Sequence, residues 1–136
     1  METMENKIFG KLVYDFQWEK KDSVSCGNQK FSITTIVEAL PGESISSVQE
    51  SNYQMIQQKK NLIDDDGITR MIGYLNKAYN LHLSDSASLF GHVALQSVLY
   101  KQNGKVVALF SVPEDELGMG LELYPNKSIG VQDLYL

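Results

Sequence analysis

Two acidic runs, Asp64-Asp65-Asp66 and Glu114-Asp115-Glu116, hold the residues whose types and spacing could do chemistry. Paired carboxylates divide acid and base roles when their surroundings push their pKa values apart, and alternating oxygen ligands around a glycine hold calcium. Asp64-Asp65-Asp66-Gly67 supplies the glycine but not the alternation, and Ile68-Thr69-Arg70-Met71-Ile72 brings no later acidic ligand. The run suits a helix start instead, where carboxylates accept from free amides and meet the positive end of the helix dipole. Glu114-Asp115-Glu116, with Glu122 nearby, falls on an expected strand-connecting turn, where acids are commonly solvated. Glu116 is the most notable of them, because it precedes Leu117-Gly118 on the approach to a strand.

The other reactive side chains form no recognised pattern. His82 and His92 lack the three- or four-residue spacing that puts two ligands on one helical face, so each reads as a loop or core-edge histidine. Cys26, the single cysteine, excludes an internal disulfide and has no activating context, so a reduced, inert thiol is expected. There is no Gly-x-Ser-x-Gly elbow and no phosphate-cradling glycine loop; Gly118-Met119-Gly120 leads into a strand and marks a bulge or a close backbone approach. The sequence therefore assigns no catalytic residue, no metal ligand and no cofactor.

The elements that would position these groups show as changes of period. Ile8, Gly10, Leu12, Tyr14, Phe16 and Trp18 alternate with Lys7, Lys11, Asp15, Gln17 and Glu19, which predicts one long half-buried strand. Lys20-Lys21-Asp22-Ser23 and Gly27-Asn28 supply turn chemistry, and Phe31 to Leu40 forms a β-branched strand stopped by Pro41-Gly42. A Ser47-x-x-Glu50 box then opens a helix along Ile45, Val48, Asn52, Met55, Ile56, Lys59 and Ile63, with Asn52 and Lys59 as its weak points. Ile68, Met71, Ile72, Leu75 and Tyr79 trace the clearest helical stripe, while Ser84 to Gly91 fits either a loop or a short helical turn. Leu95–Lys101 and Lys105–Val112 flank Gln102-Asn103-Gly104 as a β-hairpin, and Gly118–Tyr124 and Ile129–Leu136 extend the meander through turns at Glu114-Asp115 and Pro125-Asn126. The expected fold is one α+β domain over residues 1–136, a mostly antiparallel sheet with helices packed on one face.

Bulk properties narrow the function. At 136 residues and 43% hydrophobic content, one domain can build its own core. The polar, acidic opening Met1 to Lys7 lacks a signal-peptide pattern, and no run approaches the length of a membrane span, so a cytoplasmic location without membrane contact is expected. A net charge of −5 disfavours nucleic acid and suits a basic protein partner; Lys20-Lys21 and Lys59-Lys60, the adjacent basic pairs, read as solvated faces. The aromatic row of Tyr14, Phe16 and Trp18, with Tyr124 and Tyr135, reads as core, or as a partner anchor where it is exposed.

The C-terminal third, from Leu99-Tyr100-Lys101-Gln102-Asn103-Gly104 through Glu116-Leu117-Gly118-Met119-Gly120 to Ile129-Gly130-Val131-Gln132-Asp133-Leu134, resembles an uncharacterised bacterial family. Phe9-Gly10-Lys11-Leu12, Trp18 and a helical pair ending at Ala78-Tyr79 are compatible with it. Some relatives of that family resemble immunity proteins, which protect a cell from polymorphic or contact-dependent toxins. The resemblance marks Glu116, Gly118, Gly130, Gln132 and Asp133 as motif positions and carries no established activity. Pro113, Glu114 and Asp115 depart from the pattern.

Three functional expectations follow. The first is a non-catalytic binding protein, an immunity protein being the implied kind, meeting a basic partner such as a toxin domain through Asp64, Asp65, Asp66, Glu114, Asp115 and Glu116. The second is a small-ligand protein or hydrolase using Glu114, Glu116, Asp133 and His92. The third is a structural module that forms homo-oligomers through an exposed aromatic face or a free strand edge.

Overall fold

A computed structural model of the chain describes residues 2–40 and 42–136. Eight strands form one sheet in sequence order: β1 (Thr3–Asn6), β2 (Gly10–Asp15), β3 (Gln17–Cys26), β4 (Gln29–Val37), β5 (Ala94–Tyr100), β6 (Val106–Val112), β7 (Asp115–Tyr124) and β8 (Ile129–Val131). Every neighbouring pair is antiparallel except β4–β5, which runs parallel from Thr34↔Ser97 to Val37↔Tyr100. A parallel pair needs a long crossover, and here it holds α1 (Ser47–Gln57), α2 (Asp65–Tyr79) and α3 (Ser86–His92). The fold class is α+β, with the sheet dominant.

Two buried clusters lie against this sheet. The larger joins Tyr53, Ile56, Met71, Leu75, Leu89 and Phe90 of the helices to Leu12, Ile33, Val37, Val98, Phe110 and Leu121 of the strands. The smaller holds Leu99, Val107, Leu109 and Tyr135, with Ile36 packed on it. Strand alternation separates them: Val98 and Tyr100 enter the first cluster and Leu99 the second. A bulge between Leu95 and Ser97 resets the alternation, so Leu95 also reaches the first cluster.

Several local expectations are corrected. The long first strand is a hairpin, because Phe16 adopts φ 64° and turns β2 back onto β3 with Asp15 opposite Gln17. Lys20-Lys21-Asp22-Ser23 is not a turn but the middle of β3, paired with Ile33 to Thr35 and Ser32 of β4. The capping box sits one residue earlier, with Ser46 capping and Gln49 replying. The buried face of α1 is accordingly Gln49, Asn52, Tyr53 and Ile56, while Val48 is exposed. Of the two alternatives for Ser84 to Gly91 the helical one forms, as a short helix Ser86–His92 capped by Asp85. Val112 pairs with Asp115, so Pro113-Glu114 makes the β6–β7 turn. The last segment is strand only to Val131; Gln132–Tyr135 is a 3-10 helix. Thr3–Asn6 adds an edge strand that the polar opening gave no sign of. Pro41 lies outside the described residues.

Candidate functional site

The helix start at Asp64 forms as its chemistry predicts. Asp64 caps α2 by accepting from the Gly67 N–H at 2.8 Å, and its other oxygen is bonded by the Lys127 ammonium. The Lys127 bond, then the Gly67 bond, hold the Asp64 carboxyl below its ordinary range. Asp66 pairs with Arg70 at 3.0 Å, and Arg70 also donates to the Lys127 carbonyl at 3.1 Å. The β7–β8 connection is thereby tied to the start of α2. Asp65 lies exposed beside these pairs.

The second acidic run is tied to the opposite end of the same helix. Tyr79, the last residue of α2, donates to Asp115 at 2.8 Å, and the Leu117 N–H bonds the other Asp115 oxygen at 2.9 Å. The Leu117 bond leads in lowering the Asp115 pKa; burial leads in raising that of Tyr79. Glu114 and His92 face each other at 2.7 Å, joining the end of α3 to the β6–β7 turn. Glu116 and Asp133 are exposed. A helix of this length spans about 22 Å, so the two runs bracket α2 and do not form one patch. Among the described residues no group of three or more His, Cys, Asp or Glu is placed to hold a metal ion.

The motif glycines support the C-terminal segment. Gly118 has φ 74°, and a Cβ there would stand 2.7 Å from both the Phe110 carbonyl oxygen and Oε1 of Gln132. Gly120 and Gly130 face one another across β7–β8. The ring of Tyr135 occupies the space over Gly120, and Leu134 the space over Gly130. The Tyr135 hydroxyl meets Ser128 at 3.0 Å, and its carbonyl accepts from Lys101 at 3.2 Å. Gly118, Gly120 and Gly130 thus lie where other groups approach the strand closely.

Three buried polar side chains have partners that the sequence did not assign them. Gln49, with no exposed surface, donates at 2.9 Å to the carbonyls of Glu38 and Tyr100, where the parallel strands end. Asn52 donates at 2.9 Å to the Gly104 carbonyl of the β5–β6 hairpin. Glu122 lies in β7 between Leu121 and Leu123, accepting from the Asn126 N–H at 3.0 Å with Lys105 at 3.8 Å. The available signal for Glu122 was its position inside an apolar run; for the amides it was helical spacing from Ile56.

The aromatic row divides between core and surface. Trp18 is buried and stacks edge-on against Tyr14, and Tyr135 covers the second cluster. Phe16 is 89% exposed at the tip of the β2–β3 hairpin. The strand register places Trp18 beside Val37, so Phe16 and the exposed Leu40 project past the same end of the sheet. Cys26 is buried, its thiol pushed up to about 12 by desolvation. No helix among the described residues is long and apolar enough to cross a membrane.

No known family model, curated protein or solved structure matches the chain.

Proposed function

We propose that this chain is a non-catalytic protein-binding domain that acts by stoichiometric contact, in the manner of the immunity proteins that some relatives of the resembled family are similar to. Phe16 carries the reading. A bulky residue at positive φ is strained by about 1–2 kcal/mol, and glycine would remove that strain. An exposed phenyl ring also gains nothing from the core. Strain and exposure at one aromatic side chain fit an anchor that is buried only in a complex. Leu40 extends the apolar surface beyond the hairpin. The net charge of −5 favours a basic partner, which it attracts at long range. We further read α1 to α3 as packed on one face of the sheet, supported by their shared membership of the larger cluster. A cytoplasmic location is part of the same proposal.

The test is a Phe16→Gly variant used as bait beside the parent chain in the native host. A partner that co-purifies in equimolar amount with the parent and is lost from a more stable variant supports the reading. Equal recovery by both removes Phe16 from the contact.

A further inference from the structure

A second feature of the surface has opposite charge and lies elsewhere in the fold. Lys30, Lys59 and Lys60 line a cleft of 240 Å³ between β3 and the segment joining α1 to α2, together with Ser23, Ser25 and Gln57. None of the three lysines forms an ion pair among the described residues. No carboxylate lines the cleft. Asp64 feels the charge of Lys59, but its own bonds go to Lys127 and the Gly67 N–H. Three lysines line one cleft in a chain of net charge −5.

The backbone adds donors to these charges. The register of β2 on β3 ends at Val13↔Glu19, and β3 continues to Cys26 without a strand on that side. The Leu62 N–H donates to the Ser25 carbonyl at 2.8 Å, which fixes the side of β3 to which Ser25 points its backbone groups. Backbone groups alternate between the two edges of a strand, so the N–H groups of Ser23 and Ser25 both face outward, away from β4. The same alternation agrees with the hairpin, where Cys26 and Gln29 close a two-residue Gly27-Asn28 turn. The cleft therefore has outward strand N–H groups on one wall and three lysines in its lining. Val24, Ile56 and Leu62 supply apolar contact.

We propose that this cleft binds a small phosphomonoester. A phosphate carries close to two negative charges and several acceptor oxygens, which match three ammonium groups and outward N–H donors better than a single carboxylate does. The volume exceeds that of a bare phosphate, and the apolar residues give a compact organic moiety somewhere to rest. Lysines just beyond the end of α1 also favour the helix dipole, a role that would show in stability and not in anion affinity. The site is separate from Phe16 and the acidic runs, so its fate does not decide the protein-binding reading.

The experiment is a titration followed by two-dimensional amide NMR at fixed ionic strength, with inorganic phosphate, glycerol phosphate and sodium sulfate as separate probes. The expected result is saturable shifts centred on the Ser23 and Ser25 amides, with glycerol phosphate tighter than inorganic phosphate or sulfate. A Lys59→Gln/Lys60→Gln double variant should lose about tenfold in affinity while its thermal midpoint stays close to the parent's. A Lys11→Gln control should bind as the parent does. Shifts spread over all surface lysines, sulfate or inorganic phosphate binding as tightly as glycerol phosphate, or no saturation by about 10 mM would overturn the proposal. Loss of stability without loss of affinity in the double variant would do the same.

Discussion

The ring of Tyr135 lies in the space that a side chain on Gly120 would fill. A Cβ at Gly120 would press on three carbons of that ring, so the 3-10 helix closes over β7 only because this strand position has no side chain. Gly120→Ala should therefore cost about 1–3 kcal/mol through overpacking and push the C-terminal segment off the sheet. Gly73→Ala gives the opposite sign: Gly73 is exposed in the middle of α2 with nothing near its Cβ, and alanine should stabilise by about 0.5–1 kcal/mol. Urea unfolding of both variants separates a close approach from a simple propensity effect.

That contrast also marks how far the sequence carried. The α2 stripe, the Gln102-Asn103-Gly104 hairpin and the Asp64 cap are local signals, and each was legible because neighbouring residues decide it. Phe16 was not, since strict alternation runs through it and only the positive φ reverses the chain. The buried face of α1 was misread for a different reason. Gln49, absent from the expected stripe, is polar by type, and its burial depends on the distant carbonyls of Glu38 and Tyr100. The acidic runs were visible as residues, but their separation along α2 is a tertiary fact.

Gln49 should be among the costliest polar side chains to remove. Gln49→Ala leaves two strand-end carbonyls without their donor and opens a gap, at a cost of about 3 kcal/mol. Val48→Ala, one residue away on an exposed face, should stay within about 0.5 kcal/mol of the parent. Equal effects at the two positions in denaturant titration would show that the amide does not clamp α1 to the sheet.

Asp64 should contribute to the acid sensitivity of the fold. Its folded pKa is depressed, chiefly by Lys127, so its stabilisation is present in full above the unfolded carboxylate range and is lost as pH falls through the folded value. Asp64→Asn keeps a competent cap and loses the charge, and should flatten the stability profile on the acid side. Asp64→Ala also removes the cap and should cost about 1 kcal/mol at neutral pH. Thermal midpoints of both variants across the acidic range check the sign.

Cys26 should be nearly inert in the folded protein. With its thiol raised to about 12 by burial, little thiolate exists at neutral pH and reagents have poor access. Labelling by a maleimide should be slow in native buffer and fast in denaturant. Rapid native labelling would mean that the β3–β4 hairpin opens readily around Gly27.

The most direct measurement places a photo-crosslinking phenylalanine analogue at position 16 in the native host, with the same analogue at the exposed position 117, at the other end of the sheet, as control. The account predicts one discrete heavier adduct from position 16, containing one copy of this chain and one of its partner, and none from position 117. No adduct at position 16, or the same adducts from both positions, would contradict the claim that Phe16 anchors a protein partner.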